Sequence, residues 1–331
     1  MTASFSQEQH QYMARAIRLA KKGTYTTSPN PRVGCVIVNN GIIVGEGFHV
    51  RAGQAHAEVN ALNEAGDDAN GAVAYVTLEP CSHFGRTPPC ALALIKAGIS
   101  KVICAMKDPS PHVAGQGFEL LIEAGIAVDV GLLADEAEKL NAGYIQRVKT
   151  GKPRICCKLA SSLDGKTAMA NGESQWITSK AARQDVQRLR AASCAVITSA
   201  VSVIKDKARM TVRNPELFIA EPNESYPDTT VRQPLRVIID SQNRLTPDLP
   251  LFSEPSAILI IRKSLDNCHD WPQFVEQVVI PKACDTEHVC LSSVVKVLAE
   301  RGLNEILVEA GHHLAGAFIA QGLVDELVLY Q

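Results

Sequence analysis

The sequence predicts two α/β domains in tandem, and three observations carry that prediction. The chain has 331 residues, about twice the size of one ordinary domain. Short β-branched runs alternate with amphipathic helical stretches, the pattern of sheets covered by helices. That pattern breaks once, at residues 149–153 (KTGKP), and then restarts with a strand. The boundary is placed there, giving domains over 1–148 and 149–331.

Composition narrows the class. Lys and Arg number 33 against 35 Asp and Glu, a formal net charge of −2, which gives no basic stripe for a nucleic acid. Hydrophobic residues at 46% and charged residues at 21% exclude general disorder. No apolar run approaches the roughly 20 residues of a membrane helix. Residues 1–10 are polar and lack the apolar core of a secretory signal. Neither nucleic acid nor membrane is therefore expected as a partner, and a cytoplasmic location is. The ten cysteines suit a reducing compartment better than the disulfide framework of a small secreted domain. Cys35, Cys104, Cys156, Cys157 and Cys194 lie in apolar runs and read as small buried hydrophobes. Cys268, Cys284 and Cys290 fall in polar, irregular sequence without ligand spacing. Cys81 and Cys90 differ, because both flank a turn rich in proline and glycine.

In the first domain, residues 6–22 put Met13, Ala14, Ile17 and Ala20 on one helical stripe, with Ser6 as N-cap and Gly23 past the end. Residues 33–38 and 42–48 read as strands joined by the hairpin signal Asn39-Asn40-Gly41. A helix over 56–65, a strand over 73–78, a helix over 88–97 and a strand over 102–105 follow. A helix over 118–124, a strand over 127–130 and a closing helix over 134–148 complete the domain. The second domain opens with a strand over 154–160 and a helix within 175–190, capped by Thr178 or Ser179. Strands are predicted at 194–198, 235–239 and 257–261, with a polar surface loop over 214–230. A helix over 292–300, a strand over 305–309, a helix over 313–321 and a strand over 326–330 end the chain. That last strand is apolar and needs a neighbour on each side. It predicts either a shortened C-terminus or an edge paired with another subunit, in a homodimer or higher homo-oligomer through this domain.

Two constellations carry chemistry. His56-Ala57-Glu58 precedes a helical pattern, and Pro80-Cys81 and Cys90 follow. One imidazole and two thiolates hold zinc and leave its fourth position for water, whose pKa then falls to about 7. Glu58 can take the water proton and pass it to a departing amino nitrogen. Residues i and i+2 of a regular helix point roughly 200° apart, so His56 must sit at the helix entrance if Glu58 is to turn inward. Pro88 and Pro89 suit a helix starting at Cys90, where amide donors and the dipole favour thiolate. Alone, H-x-E is a chance pattern and a cysteine pair is ordinary core. Together, with Pro80 before Cys81, they form a zinc deaminase signature. A closed structural zinc would need a fourth protein ligand, for which His83 is nearest.

The second constellation is a strand ending in a polar turn, residues 158–168 (KLASSLDGKTA), followed by residues 172–178 (GESQWIT) leading into a helix. Such a turn can receive a phosphate; the plainer reading is a capped helix with Trp176 in the core. No G-x-G-x-x-G follows the first strand, which argues against a Rossmann domain.

Residues 27–34 (TSPNPRVG), 56–58 (HAE) and 80–90 (PCSHFGRTPPC) resemble the deaminase half of the bifunctional deaminase–reductases of riboflavin biosynthesis, the RibD family. Residues 158–168, Asp206, Thr211-Val212-Arg213 and Glu309-Ala310-Gly311 resemble its reductase half, so the likeness spans nearly the whole chain. The long loop between the cysteines is its specific mark, since cytidine deaminases place two residues there. The resemblance implies a cytidine-deaminase-like three-layer α/β/α domain followed by a dihydrofolate-reductase-like α/β domain, with Zn2+ in the first and NADPH in the second. The substrate implied is a small phosphorylated pyrimidine, 2,5-diamino-6-ribosylamino-4(3H)-pyrimidinone 5′-phosphate. It would lose its 2-amino group and then be reduced at C1′ of the opened ribose. His56, Cys81 and Cys90 would be the metal ligands and Glu58 the catalytic residue. Asn30 and His49 would lie near the pyrimidine, Asp108 would close the pocket, and Arg86, where the family often has lysine, would hold phosphate.

In the second domain the resemblance assigns Lys158, Ser174, Arg190, Met210, Arg213 and Glu309 to the sugar substrate. It assigns Ala160, Asp164, Trp176, Ser202, Asp206 and Gly311 to the cofactor. The plain alternatives are turn residues before proline for Asn30 and Asp108, and solvated charge for Arg190 and Arg213. The sequence departs from the family at Ser199-Ala200-Val201-Ser202-Val203, a turn usually richer in glycine or serine before Thr-Val. It departs also at Ala208, where proline is common, and at His312-His313 after Gly311. The rival reading is a zinc deaminase of another nucleoside or base, with a non-catalytic C-terminal binding or dimerisation domain.

Overall fold

The computed structural model describes residues 4–82, 88–111, 114–170, 177–213, 217, 231–266, 268–280 and 288–331. It comprises two compact units, Met1–Thr150 and Gly151–Gln331.

In the first unit, helix α1 (Gln7–Lys21) starts at Ser6. The Gln9 N–H donates to Ser6 Oγ at 3.2 Å while the Ser6 N–H donates to Gln9 Oε1 at 2.8 Å, a reciprocal cap. Strands β1 (Gly34–Asn39) and β2 (Ile42–Phe48) form a hairpin. Asn40 and Gly41 at its tip both have positive φ, which this tight turn requires. Helix α2 (Ala57–Ala65), strand β3 (Val73–Val76), helix α3 (Cys90–Lys96), strand β4 (Lys101–Cys104), helix α4 (Gln116–Glu123) and strand β5 (Ala127–Val130) follow. Helices α5 (Ala134–Leu140) and α6 (Ala142–Thr150) close the unit. The sheet runs β2-β1-β3-β4-β5, with β1 antiparallel to both neighbours and β3, β4 and β5 parallel. Alternation along β1 sends Cys35 and Ile37 to one face, against Ala57, Ala61, Ala91, Leu94 and Leu121 of α2, α3 and α4. Val36 and Val38 turn to the other face, against Met13, Ala16 and Ile17 of α1 and Ala137 of α5. The result is three layers, helix on sheet on helix.

The closing helix predicted over 134–148 is in fact two. Asn141 breaks it with φ −119°. Its side chain leaves the helix to bond the backbone of Arg32, accepting from N–H at 2.8 Å and donating to the carbonyl at 2.9 Å. A short amide competing for backbone partners is the reason.

The second unit contains β6 (Arg154–Ala160), α7 (Lys180–Ala192), β7 (Ala195–Ser199), α8 (Ala200–Asp206), β8 (Leu235–Ile239), β9 (Ile258–Arg262) and β10 (Val275–Val279). Helix α9 (Leu291–Glu300), β11 (Glu305–Glu309), α10 (His312–Ala320) and β12 (Glu326–Tyr330) complete it. All seven strands are parallel, in the order β10-β9-β8-β7-β11-β6-β12. Val294, Leu298 and Phe318 of α9 and α10 cover one face. Leu189, Ala200 and Val203 of α7 and α8 pack on the other. Strands buried on both sides read as continuous apolar runs, as in β9. The sequence did not predict β10 or α8: β10 mixes Glu and Gln into an edge strand, and α8 spans under two turns. Strand β12 pairs with β6 on one side and leaves Leu327 and Leu329 exposed. Of the loop predicted over 214–230, all but Leu217 lies outside the described residues. Cys35, Cys104, Cys157 and Cys194 are buried and Cys156 half-buried, all free; Cys284 lies outside the described residues. Among the described residues, no helix is long and apolar enough to cross a membrane.

Candidate active sites

The first site is set by how closely α2 lies on β2. A Cβ on Gly47 would fall 2.3 Å from the Ala57 carbonyl oxygen, and one on Gly45 2.2 Å from that of Ala61. Glycine at both positions lets the helix rest directly on the strand and fixes where it begins. His56 is its N-cap, in extended backbone, and the buried Glu58 lies in its first turn. Cys90 opens α3 after Pro89, and its N–H donates to Cys81 Sγ at 3.2 Å. His56 Nδ1 lies 3.2 Å from Cys90 Sγ and 3.6 Å from Cys81 Sγ. The three ligand atoms fall within 4.8 Å of one another, and no other such group forms among the described residues. His83 lies outside the described residues.

These donors fit zinc: one imidazole and two sulfurs, with room for a fourth ligand. Beside them Glu58 Oε2 is buried with no hydrogen-bond partner, a costly state for a site that nothing enters. Burial, reinforced by the Cys81 charge, raises the Glu58 carboxyl to about 7. The hydrogen bond with Cys90 draws Cys81 down to about 4. The same bond, with burial, drives Cys90 upward. A bound dication would hold both sulfurs as thiolates. The hydrogen bond to Cys81 raises His56 from its ordinary value, against the effect of burial.

Asn30 and His49 are brought beside this cluster. The His49 and His56 rings stand edge to face with centroids 5.1 Å apart. Burial lowers the His49 pKa, so its ring is neutral. Its Nδ1–H then donates to the Ala55 carbonyl at 3.1 Å, and Nε2 accepts from Asn30 Nδ2 at 3.0 Å. Asp108 is buried. It accepts from the Tyr144 hydroxyl at 3.1 and 3.2 Å and from the Ser110 N–H at 2.8 Å. Arg86 lies outside the described residues.

The second unit carries a cleft of about 1620 Å³ at the C-terminal ends of β6, β7, β8 and β11, where parallel sheets bind ligands. Its lining holds nine Lys and Arg side chains against three Asp and Glu, a basic basin in a chain of net charge −2. Lys158, Ala160, Arg190, Ser202, Asp206, Met210, Arg213, Glu309 and Gly311 all line it. Asp164 does not; it sits in an exposed turn bonded to the Ser162 hydroxyl. Ser174 and Trp176 lie outside the described residues.

Glu309 is register partner to Lys158 across β11 and β6. It pairs with Arg190 through two bonds, Nε to Oε2 at 2.7 Å and Nη2 to Oε1 at 2.8 Å. Arg190 Nη1 donates to the Thr211 carbonyl at 2.9 Å. The sequence gives Arg190 a phosphate to hold; the structure gives these donors Glu309 and Thr211. Burial opposes Glu309 ionisation, but Arg190, with Lys158 and Arg213, keeps its pKa below the ordinary value. Met210 is buried with φ 59°. Sequence reasoning missed Thr198, whose buried hydroxyl has no partner at the cleft wall. It also missed the cations Arg209 and Arg244. None of these has a local spacing signal. The size, basic lining and orphaned hydroxyl fit a phosphorylated dinucleotide.

The family model for the cytidine and deoxycytidylate deaminase zinc-binding region matches residues 6–106, and that for the RibD C-terminal domain matches residues 153–331. Fold and sites thus define a class, a zinc-dependent deaminase joined to an NADPH-dependent reductase. The riboflavin biosynthesis protein RibD of Escherichia coli (strain K12) is 52% identical over 319 residues, covering 96% of this chain and 86% of that protein. The chain belongs to the RibD family, the bifunctional deaminase–reductases of riboflavin biosynthesis. The RibD protein of Haemophilus influenzae is 50% identical over 98% of this chain and 86% of its own length. Among solved structures, RibD of Acinetobacter baumannii aligns with a TM-score of 0.86 at 44% identity, over 98% of this chain and 86% of that one. A diaminohydroxyphosphoribosylaminopyrimidine deaminase/5-amino-6-(5-phosphoribosylamino)uracil reductase from Thermotoga maritima aligns with a TM-score of 0.81 at 35% identity, over 97% and 85%.

Proposed function

We propose that the chain converts 2,5-diamino-6-ribosylamino-4(3H)-pyrimidinone 5′-phosphate to 5-amino-6-(5-phospho-D-ribitylamino)uracil, deaminating the ring first and then reducing the sugar. The observation that carries the first step is the buried, unpartnered Glu58 Oε2 beside His56, Cys81 and Cys90. Held by those three, zinc supplies the Lewis acidity that makes water a nucleophile at neutral pH. Glu58 Oε2 takes the proton of the attacking water and hands it to the departing nitrogen, which leaves as ammonia. Asn30 and His49 orient the pyrimidine, Asp108 closes over it, and Arg86 holds the phosphate.

In the second unit NADPH supplies hydride when bound. Ala160, Ser202, Asp206 and Gly311 border it, joined by Trp176; Asp164, in its exposed turn outside the cleft, is not among them. The remaining cleft takes the sugar phosphate, with Arg213 on the phosphate and Lys158, Ser174 and Met210 along the chain. Arg190 orients Glu309 at the reacting end. The basic lining favours this reading over a second domain that serves dimerisation alone. We place the enzyme in the cytoplasm, in keeping with its free cysteines, and assign homo-oligomerisation to the second unit.

Replacing Glu58 with Gln keeps shape and removes the proton carrier. Ammonia release is expected to fall by about a hundredfold or more, with bound zinc retained and NADPH-dependent reduction of the deaminated substrate intact. Undiminished ammonia release would refute Glu58 as the carrier.

A further inference from the structure

The first unit holds a buried carboxylate that neither the metal cluster nor the proton path uses. Glu79 stands two residues before Cys81 and is 4% exposed. Oε1 accepts the N–H of Gly115 at 2.8 Å and of Gly117 at 3.0 Å. Oε2 accepts the N–H of Asp108 at 3.1 Å and of Gly115 at 3.0 Å. The Glu79 N–H donates to the Met106 carbonyl at 3.0 Å. One side chain therefore ties the turn leading to Cys81 to Asp108 and to the start of α4. The contact is close: a Cβ on Gly117 would lie 2.0 Å from the Pro80 carbonyl oxygen. Only glycine lets α4 begin against that carbonyl. Asp108 is held from its other side by Tyr144.

An ionised carboxylate can accept all of these N–H groups at once, in charge-assisted bonds. A neutral amide of the same shape cannot, because its NH2 would face a donor. The chemistry of this position therefore requires a carboxylate.

We propose that Glu79 is a positioning residue of the deaminase. It sets the separation between the Cys81 turn and the Asp108 stretch, and it acts on the pyrimidine through Asp108. This rests on the reading that Asp108 contacts the substrate. The test is Glu79→Gln in the full-length chain. KM for deamination is expected to rise about tenfold, the loss of roughly one such bond, with kcat changed far less. Zinc content and NADPH-dependent reduction of pre-deaminated substrate should match wild type. The amides of Asp108, Gly115 and Gly117 should exchange hydrogen faster. In an Asp108→Asn background Glu79→Gln should add little, since both act at one contact. Unchanged KM, full additivity with Asp108→Asn, or loss of zinc together with a lowered melting temperature would each overturn the proposal. Should Glu79→Gln not fold, Tyr144→Phe loosens Asp108 from the opposite side and should raise KM with zinc retained; unchanged KM there overturns it equally. A wild-type chain that fails to deaminate the pyrimidine defeats the functional reading. An active wild type with a silent Glu79→Gln defeats this proposal alone.

Discussion

Arg190 and Glu309 form a bidentate pair in which both side chains are largely withdrawn from water, 13% and 16% exposed. Breaking such a pair leaves one charge without its partner, which costs more than the pair contributes. Arg190→Met is therefore expected to destabilise the second unit by about 3 kcal/mol at pH 7, read by urea unfolding, and to depress reduction. The sign with pH follows from Glu309, whose pKa is depressed in the folded state. Its contribution is present above the unfolded glutamate value of about 4.3 and is lost as pH falls through the lower folded value. The wild-type advantage should thus be largest near neutrality and shrink in acid; a gap independent of pH would remove Glu309 from the account. This pair was not legible in the sequence, because its members are separated by 119 positions. The clustering of His56, Cys81 and Cys90 was legible, since H-x-E, a proline before cysteine and a second cysteine each leave a local trace. Glu79 left none, being one acidic residue after an apolar strand.

At the scale of elements, the deaminase site depends on α2 resting against β2. Gly47→Ala would place a methyl 2.3 Å from the Ala57 carbonyl oxygen, one residue from His56. Overpacking of this kind costs about 2 kcal/mol. It should also weaken zinc retention, measured by competition with a chelator, while NADPH-dependent reduction persists. Unaltered zinc affinity would show that the helix start is set elsewhere. Most elements were readable, because alternation along β1 and the continuous apolar runs of β8 and β9 are burial patterns written locally. Where the reading failed, the cause was tertiary. Asn141 interrupts a helical pattern because Arg32 offers its backbone. Strand β10 carries Glu and Gln and is a strand only because β9 pairs with it.

For the whole molecule, the central claim is that two chemistries reside on one chain, each in its own unit, and act in order. The most direct measurement is mass analysis of products after incubation with the diaminopyrimidinone ribotide, with and without NADPH. Without NADPH, the product should carry an oxo group in place of the 2-amino group, with ammonia released. With NADPH, that product should gain two hydrogens on the opened sugar. A chelator should block both from the diamino substrate, yet leave reduction of the pre-deaminated compound unaffected. Sugar reduction of the diamino compound with zinc removed, or an untouched substrate in the presence of zinc and NADPH, would contradict the account.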